Sequence, residues 1–324
     1  MTKARDIASA TTPNANAALL ATFPHRNLII NGAMQVAQRG TSSTTASINT
    51  YATVDRFRLL TPTTFGELAL TQEQSTDAPT GFATSYKLTV STPETALAAN
   101  ELLRLQQRIE GQNLQHLKKG TSDAESVTLS FWVKGSITGT YTIDIFDQDN
   151  FRAIAKSYTI NSANTWEYKT FTFSGDTTGA LDNDNANSLT VAWNLAAGTD
   201  RTSGTLATSW EANTAANLAV GQTDIITTSG ATWQITGVQL EVGDTATPFE
   251  HRSYGEELAR CQRYYYQSGG FYSYTEQKFY TLPTIMRANP SVSASGPTPN
   301  RARSDFVQFN SYTGESSFNA DAEL

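Results

Sequence analysis

A single cysteine, Cys261, stands among 324 residues, so no disulfide can form within the chain. A lone buried thiol on a helix is the plain reading of it, and the chain suits synthesis and assembly in a reducing cytoplasm. Charge is scarce too. Only 16% of residues are Asp, Glu, Lys or Arg, against about 25% in ordinary soluble domains. The balance is acidic, with a formal net charge of −7. A duplex-binding surface needs a basic footprint, so nucleic acid is excluded as an expected partner. No run approaches the roughly 18–20 apolar residues of a membrane span. The early "AALLA" is too short for a secretory core.

Aromatics, at 10%, and an abundance of Thr, Ser, Asn and Ala take the place of charge. Thr favours strands, while Ser and Asn favour turns. Residues 1–26 show no sustained period and read as an attachment segment. From Asn27 the pattern changes. "NLIINGAM" is a short apolar run closed by Asn-Gly. "DRFRLL" and "GELALTQEQ" alternate, and "TSYKLTV" places Tyr86, Leu88 and Val90 on one face. "NELLRLQQRIEG" has period two, yet its composition also permits a helix. "NLQHLKKG" reads as a short helix ending at Gly120.

Six strand-like stretches follow, from "SVTLSFWVKGS" to "ATWQITGVQLEVG". Val127, Leu129, Phe131 and Val133 share a face and leave Trp132 on the other. In the last stretch Trp233 and Ile235 have one parity, and Val238, Leu240 and Val242 the other. Gly237 at the switch predicts a β-bulge, and all three later apolar residues are expected in the core. The fold expected is mainly β: an antiparallel jelly-roll sandwich over residues 27–250. A connector helix follows over 251–268, with Leu258, Cys261 and Tyr265 at helical spacing. A small C-terminal β region over 269–324 completes the chain.

Catalytic motifs are missing. There is no GxSxG, HxxxH, P-loop or GxGxxG. Glu110, Asp144, Asp147, Glu167, Glu241 and Glu250 could supply a carboxylate pair, but each also reads as a solvated strand residue. His25, His116 and His251 are scattered. "DIFDQDN" and "LDNDN" gather oxygen ligands of the kind calcium takes, or are simply turns. No cofactor or metal is expected. The sharper feature is "RYYYQSGGFYSYTEQKFY", dense in tyrosine. A tyrosine offers a flat apolar face and a hydroxyl, which suits wet interfaces and ligand surfaces alike. Tyr272, Tyr274 and Tyr280 are the candidate ligand-binding residues, with a subunit interface as the competing reading.

Several stretches resemble tail-fibre proteins of tailed bacteriophages, including marine and cyanobacterial ones. They are "NLIINGAMQVAQRGTS", "VDRF", "QQRIEGQNLQHLKKGT", "VTLSFWVKGS" and "WQITGVQLEVGDTATPFEHRSYGEELARCQRYYY", with "MTKARDI" and "NADAEL" beyond them. The resemblance implies a jelly roll similar to carbohydrate-binding modules, with "ELLRLQQRIEG" as a strand. It implies attachment to phage tail proteins through residues 1–26, a homotrimer, and contact with a host surface glycan or receptor. It implies a virion protein without enzymatic activity, located on the tail. Head fibres and other appendages share these motifs, and a polysaccharide depolymerase is the alternative from another class. The chain shows no long heptad shaft, which favours a stubby appendage over a rod.

Overall fold

The structure, a computed structural model, describes residues 25–45, 50–61, 65–270, 277–310 and 316–324. Two antiparallel six-stranded sheets form a jelly-roll β-sandwich. The first contains β1 (Ser42–Thr45), β3 (Ala69–Ser75), β4 (Ser85–Thr92), β12 (Thr232–Val242), β6 (Val127–Gly135) and β9 (Glu167–Phe173), in that spatial order. The second orders β11 (Glu211–Ala212), β8 (Arg152–Ile160), β7 (Gly139–Asp147), β10 (Asn187–Ala197), β5 (Leu102–Glu110) and β2 (Arg58–Leu60).

Alternation does the work expected of it. Tyr86, Leu88 and Val90 of β4 point inward, as do Leu129, Phe131 and Val133 of β6. Phe131 meets Trp193 of β10 edge-on at 5.8 Å and Tyr158 of β8 at 5.4 Å, which joins the two inner faces. "LLRLQQRIE" is β5, a strand held between β10 and β2. "NLQHLKKG" forms 3-10 turns rather than an α-helix, and Lys118 then turns left-handed.

The bulge falls where the parity switch put it. The β12–β6 register slips between Thr236 and Gln239, and Gly237 sits at φ 63°. Trp233, Ile235, Val238 and Leu240 are therefore all buried. Val242 departs from expectation and is 37% exposed. It is the last residue of its strand, followed at once by the Gly243 turn, and the core ends before it.

Residues 27–32 lie along β12. Leu28 donates to the Leu240 carbonyl at 2.8 Å, and Val238 donates to that of Gly32 at 2.9 Å. Asn27 bridges the same strand, donating to Val238 and accepting from Leu240. A Cβ on Gly32 would stand 2.1 Å from the Val238 oxygen, so only glycine fits.

Beyond the sandwich, α1 (Thr199–Thr202) is a single turn and α2 (Tyr254–Gln262) is the one helix of two turns or more among the described residues. Ser253 caps α2 by accepting from the Glu256 amide. The helix is shorter than its tyrosines suggested. It ends at Gln262, and Tyr265 opens β13 (Tyr265–Gln267) instead. Its buried residues are Glu257 and Cys261; Leu258 is only half-buried, and Tyr264 and Tyr265 are buried beyond the helix end. The reason is polar: Glu257 turns in to accept from the Asn31 amide at 2.6 Å.

Two three-stranded sheets follow. One orders β13, β18 (Phe318–Asp321) and β15 (Ser291–Ala294); the other orders β14 (Lys278–Thr281), β17 (Phe306–Phe309) and β16 (Pro299–Ala302). Phe309, Phe318, Met286 and Val307 form their small core. This region is tied to the sandwich by charge. Glu323 pairs with the buried Arg56 and with Arg39, and Arg263 and Tyr264 both donate to Glu110. Among the described residues no helix is long and apolar enough to cross a membrane.

Candidate functional site

The sandwich carries an aromatic recess on the outer face of its first sheet. Trp132 on β6 projects opposite Phe131, as strand alternation requires, and Tyr168 of β9 is its cross-strand partner. Their rings lie 5.3 Å apart. The far wall comes from two loops. Phe82 precedes β4, while Phe249 and His251 follow β12, and these three rings sit 4.9–5.3 Å from one another. The bulge at Gly237 forms the floor. A Cβ there would stand 2.7 Å from the Phe82 ring and 3.1 Å from that of Trp132, so a side chain would fill the recess. The space measures about 300 Å³, with Ser130, Thr80 and Pro248 completing the lining.

One step along the same face lies a polar cluster. Asp77 accepts from Lys134 at 2.7 Å and from Trp166 and Gln234 at 3.2 Å each. The Lys134 hydrogen bond holds its carboxyl below the usual range. Lys134 is two residues from Trp132 on β6, so hydrogen-bonding groups adjoin the rings. Flat apolar faces beside fixed donors and acceptors match a sugar ring, whose C–H face lies on an aromatic while its hydroxyls reach outward.

The residues singled out from sequence fare differently. Tyr280 is half-buried and packs edge-on against Phe309 and Phe318 at 5.8 and 5.7 Å. Tyr272 and Tyr274 lie outside the described residues. Tyr264 and Tyr265 are buried at the junction with the sandwich, beneath the guanidiniums of Arg56 and Arg39 at 3.4 and 3.5 Å.

Most of the carboxylates are engaged in holding backbone. Glu241 accepts from the Thr247 amide and hydroxyl. Glu250 accepts from the His25 and Asn27 amides. Glu167 closes the turn at Asn161 and Ser162. Asp147 takes Lys119 and the amides of Asp149 and Asn150, the turn reading of "DIFDQDN". Asp184 accepts from Ala186 within "LDNDN". Asp144 and Glu110 are the exceptions: Asp144 accepts from the Asn194 amide at 3.1 Å and pairs with Arg104 at 3.8 Å, and Glu110 accepts from Arg263 and Tyr264. Among the described residues no group of three or more His, Cys, Asp or Glu side chains is placed to hold a metal. His116 is exposed on a turn, His25 contacts Arg260, and burial pushes the Cys261 thiol well up.

Sequence reasoning did not find the recess. Trp132 alone gave a sign, as a large ring on the polar face of an otherwise alternating strand.

No protein-family model matches the sequence, and no curated protein does. Solved structures to which the chain is similar include the enzymatically active domain of tailspike protein 4 of bacteriophage CBA120. That match has 16% identity and a TM-score of 0.36, and covers 68% of this chain and 22% of the tailspike chain. TmCBM61, solved in complex with β-1,4-galactotriose, is 8% identical with a TM-score of 0.33, covering 67% and 99%. A family 11 carbohydrate-binding module of Clostridium thermocellum is 8% identical with a TM-score of 0.32, covering 64% and 98%.

Proposed function

We propose that this chain is a non-enzymatic bacteriophage virion protein, a short tail fibre that binds a glycan of the host surface. The observation that carries the reading is the recess of Trp132, Tyr168, Phe82, Phe249 and His251 on the outside of a jelly roll. The sequence likeness to phage tail fibres supplies the virion setting, the attachment role of residues 1–26 and the homotrimer. It also implies the sandwich over 27–250, and the residue pattern adds a connector over 251–268 and a tip over 269–324. A shallow aromatic site binds one sugar weakly, and several copies on one particle raise the avidity.

One experiment tests the reading in three arms. Trp132→Ala and Tyr168→Ala should each weaken binding to host-cell glycan about tenfold, at about 1.4 kcal/mol, with the thermal midpoint unchanged. Particles assembled with a chain lacking residues 1–25 should not carry it. Purified protein should release no new sugar ends from host polysaccharide. Unchanged glycan binding by both aromatic variants would sink the recess as the site, and released sugar ends would make the chain a depolymerase.

A further inference from the structure

The aromatic recess carries little polarity inside its walls. Phe82, Phe249, Pro248, Trp132 and Tyr168 present rings, and Gly237 presents bare backbone. Among the described residues no Asp, Glu, Lys or Arg lines the space. Its polar side-chain groups are those of Thr80, Ser130 and His251 and the Tyr168 hydroxyl.

The polar residues around the floor are turned toward one another. Thr236 stands opposite Trp132 in the ladder, and its hydroxyl donates to the Thr84 carbonyl at 2.8 Å. Gln239 stands opposite Ser130; it donates to Glu241 and Thr247 and accepts from the Glu250 amide. Gln234 donates to Asp77 and accepts from Ser85. Thr236 and Gln239 are fully buried. A ligand hydroxyl pressed to this floor would leave water and find these partners taken, which forfeits its hydration. A methyl group in the same place gains by leaving water and forfeits nothing.

We infer that the recess selects a neutral sugar that carries a methyl group, which enters between the Trp132–Tyr168 pair and the wall of Phe82, Phe249 and His251. The inference rests on the recess being the glycan site and names what that site prefers. The sugar's hydroxyls stay at the rim, toward Thr80, the Tyr168 hydroxyl and the Lys134–Asp77 pair. Two kinds of sugar bring such a methyl: a deoxyhexose on its ring, and an N-acetylhexosamine on its amide. A space of about 300 Å³ is at the small end of ligand sites, so a single sugar unit makes the contact. Trp132 and Tyr168 serve any sugar face, whereas Phe82 and Phe249 decide between methyl and hydroxymethyl.

Titrations of the full chain, followed by saturation-transfer NMR, test this. The probes are rhamnose and fucose, each against the hexose of the same configuration with a hydroxymethyl in place of the methyl. N-acetylglucosamine and N-acetylgalactosamine are compared with glucose and galactose. At least one methyl-bearing class should bind about tenfold more tightly than its parents, with the methyl protons most strongly saturated. Preference for one class alone assigns the source of the methyl. Phe82→Ala should bring the two members of the preferred pair to within about twofold, whereas Trp132→Ala should weaken both alike. Should Phe82→Ala fail to fold, His251→Ala, on the exposed chain after β12, carries the same readout. A preference that survives both changes overturns the placement of the methyl. Hexoses that bind as tightly as their methyl-bearing partners, yet lose affinity in Trp132→Ala, overturn the selection and leave the glycan site standing. Binding of no sugar, or binding that Trp132→Ala and Tyr168→Ala leave unchanged, overturns the glycan site and the selection with it.

Discussion

Asp55 is nearly fully buried beside the sandwich–tail junction, and its carboxyl is pushed up from 3.8 to about 6. Desolvation is the main cause, opposed by hydrogen bonds from Gln38 and by Arg39 at 3.7 Å. The folded chain therefore keeps this proton to a higher pH than the unfolded chain does. Between pH 3.8 and about 6 the native state binds more protons, so stability falls as pH rises through that window. The stabilisation is fully present below the lower value and absent above the upper one. It amounts to roughly 1–3 kcal/mol. Denaturant unfolding of the wild type and of Asp55→Asn across this range should differ by a slope of that sign. Parallel profiles would show that Asp55 titrates normally in the folded chain.

Strand β18 and the residues after it seal the junction through one buried carboxylate. Arg56 is almost wholly enclosed; it pairs with Glu323, donates to the Arg108 carbonyl at 2.7 Å and stacks on Tyr264. Glu323→Ala strands a buried guanidinium and should cost about 3–5 kcal/mol. Asp321→Ala removes a half-exposed partner of Arg39 and should cost under about 1 kcal/mol. Equal losses in equilibrium unfolding would refute this ranking. Such strands were readable in advance where one face is buried: the parity of Tyr86, Leu88 and Val90, and its switch at Gly237, are period-two patterns. β5 was not decided by its own residues, since Leu, Arg, Gln and Glu serve helices equally well; its neighbours β10 and β2 make it a strand. The recess escaped notice because its rings come from separated stretches that only the sheet and its loops assemble. The tyrosines after Arg263 were conspicuous, but nothing local to them told that Glu110, Arg56 and Arg39 would draw the first two inward.

The two sheets together form one body, with the aromatic recess on the outer face of the first. Closing this body depends on the stitch between residues 27–32 and β12. Asn27 and Leu240 are 213 positions apart. Contacts of such span make folding slow, because the loop must close before anything rewards it. During synthesis at about 5–20 residues per second, Asn27 waits roughly 10–40 s for its partner strand to emerge. Through that interval the apolar run at Leu28–Ile30 has no sheet to lie on. Refolding should therefore take milliseconds to seconds or longer, and Asn27→Ala should hasten unfolding far more than it retards refolding, as expected for a contact formed late. Stopped-flow measurement of both limbs decides it: an equal change in the refolding limb would place the stitch in the nucleus. The same wait makes the nascent sandwich a client for whatever in the cell shields an unfinished sheet edge.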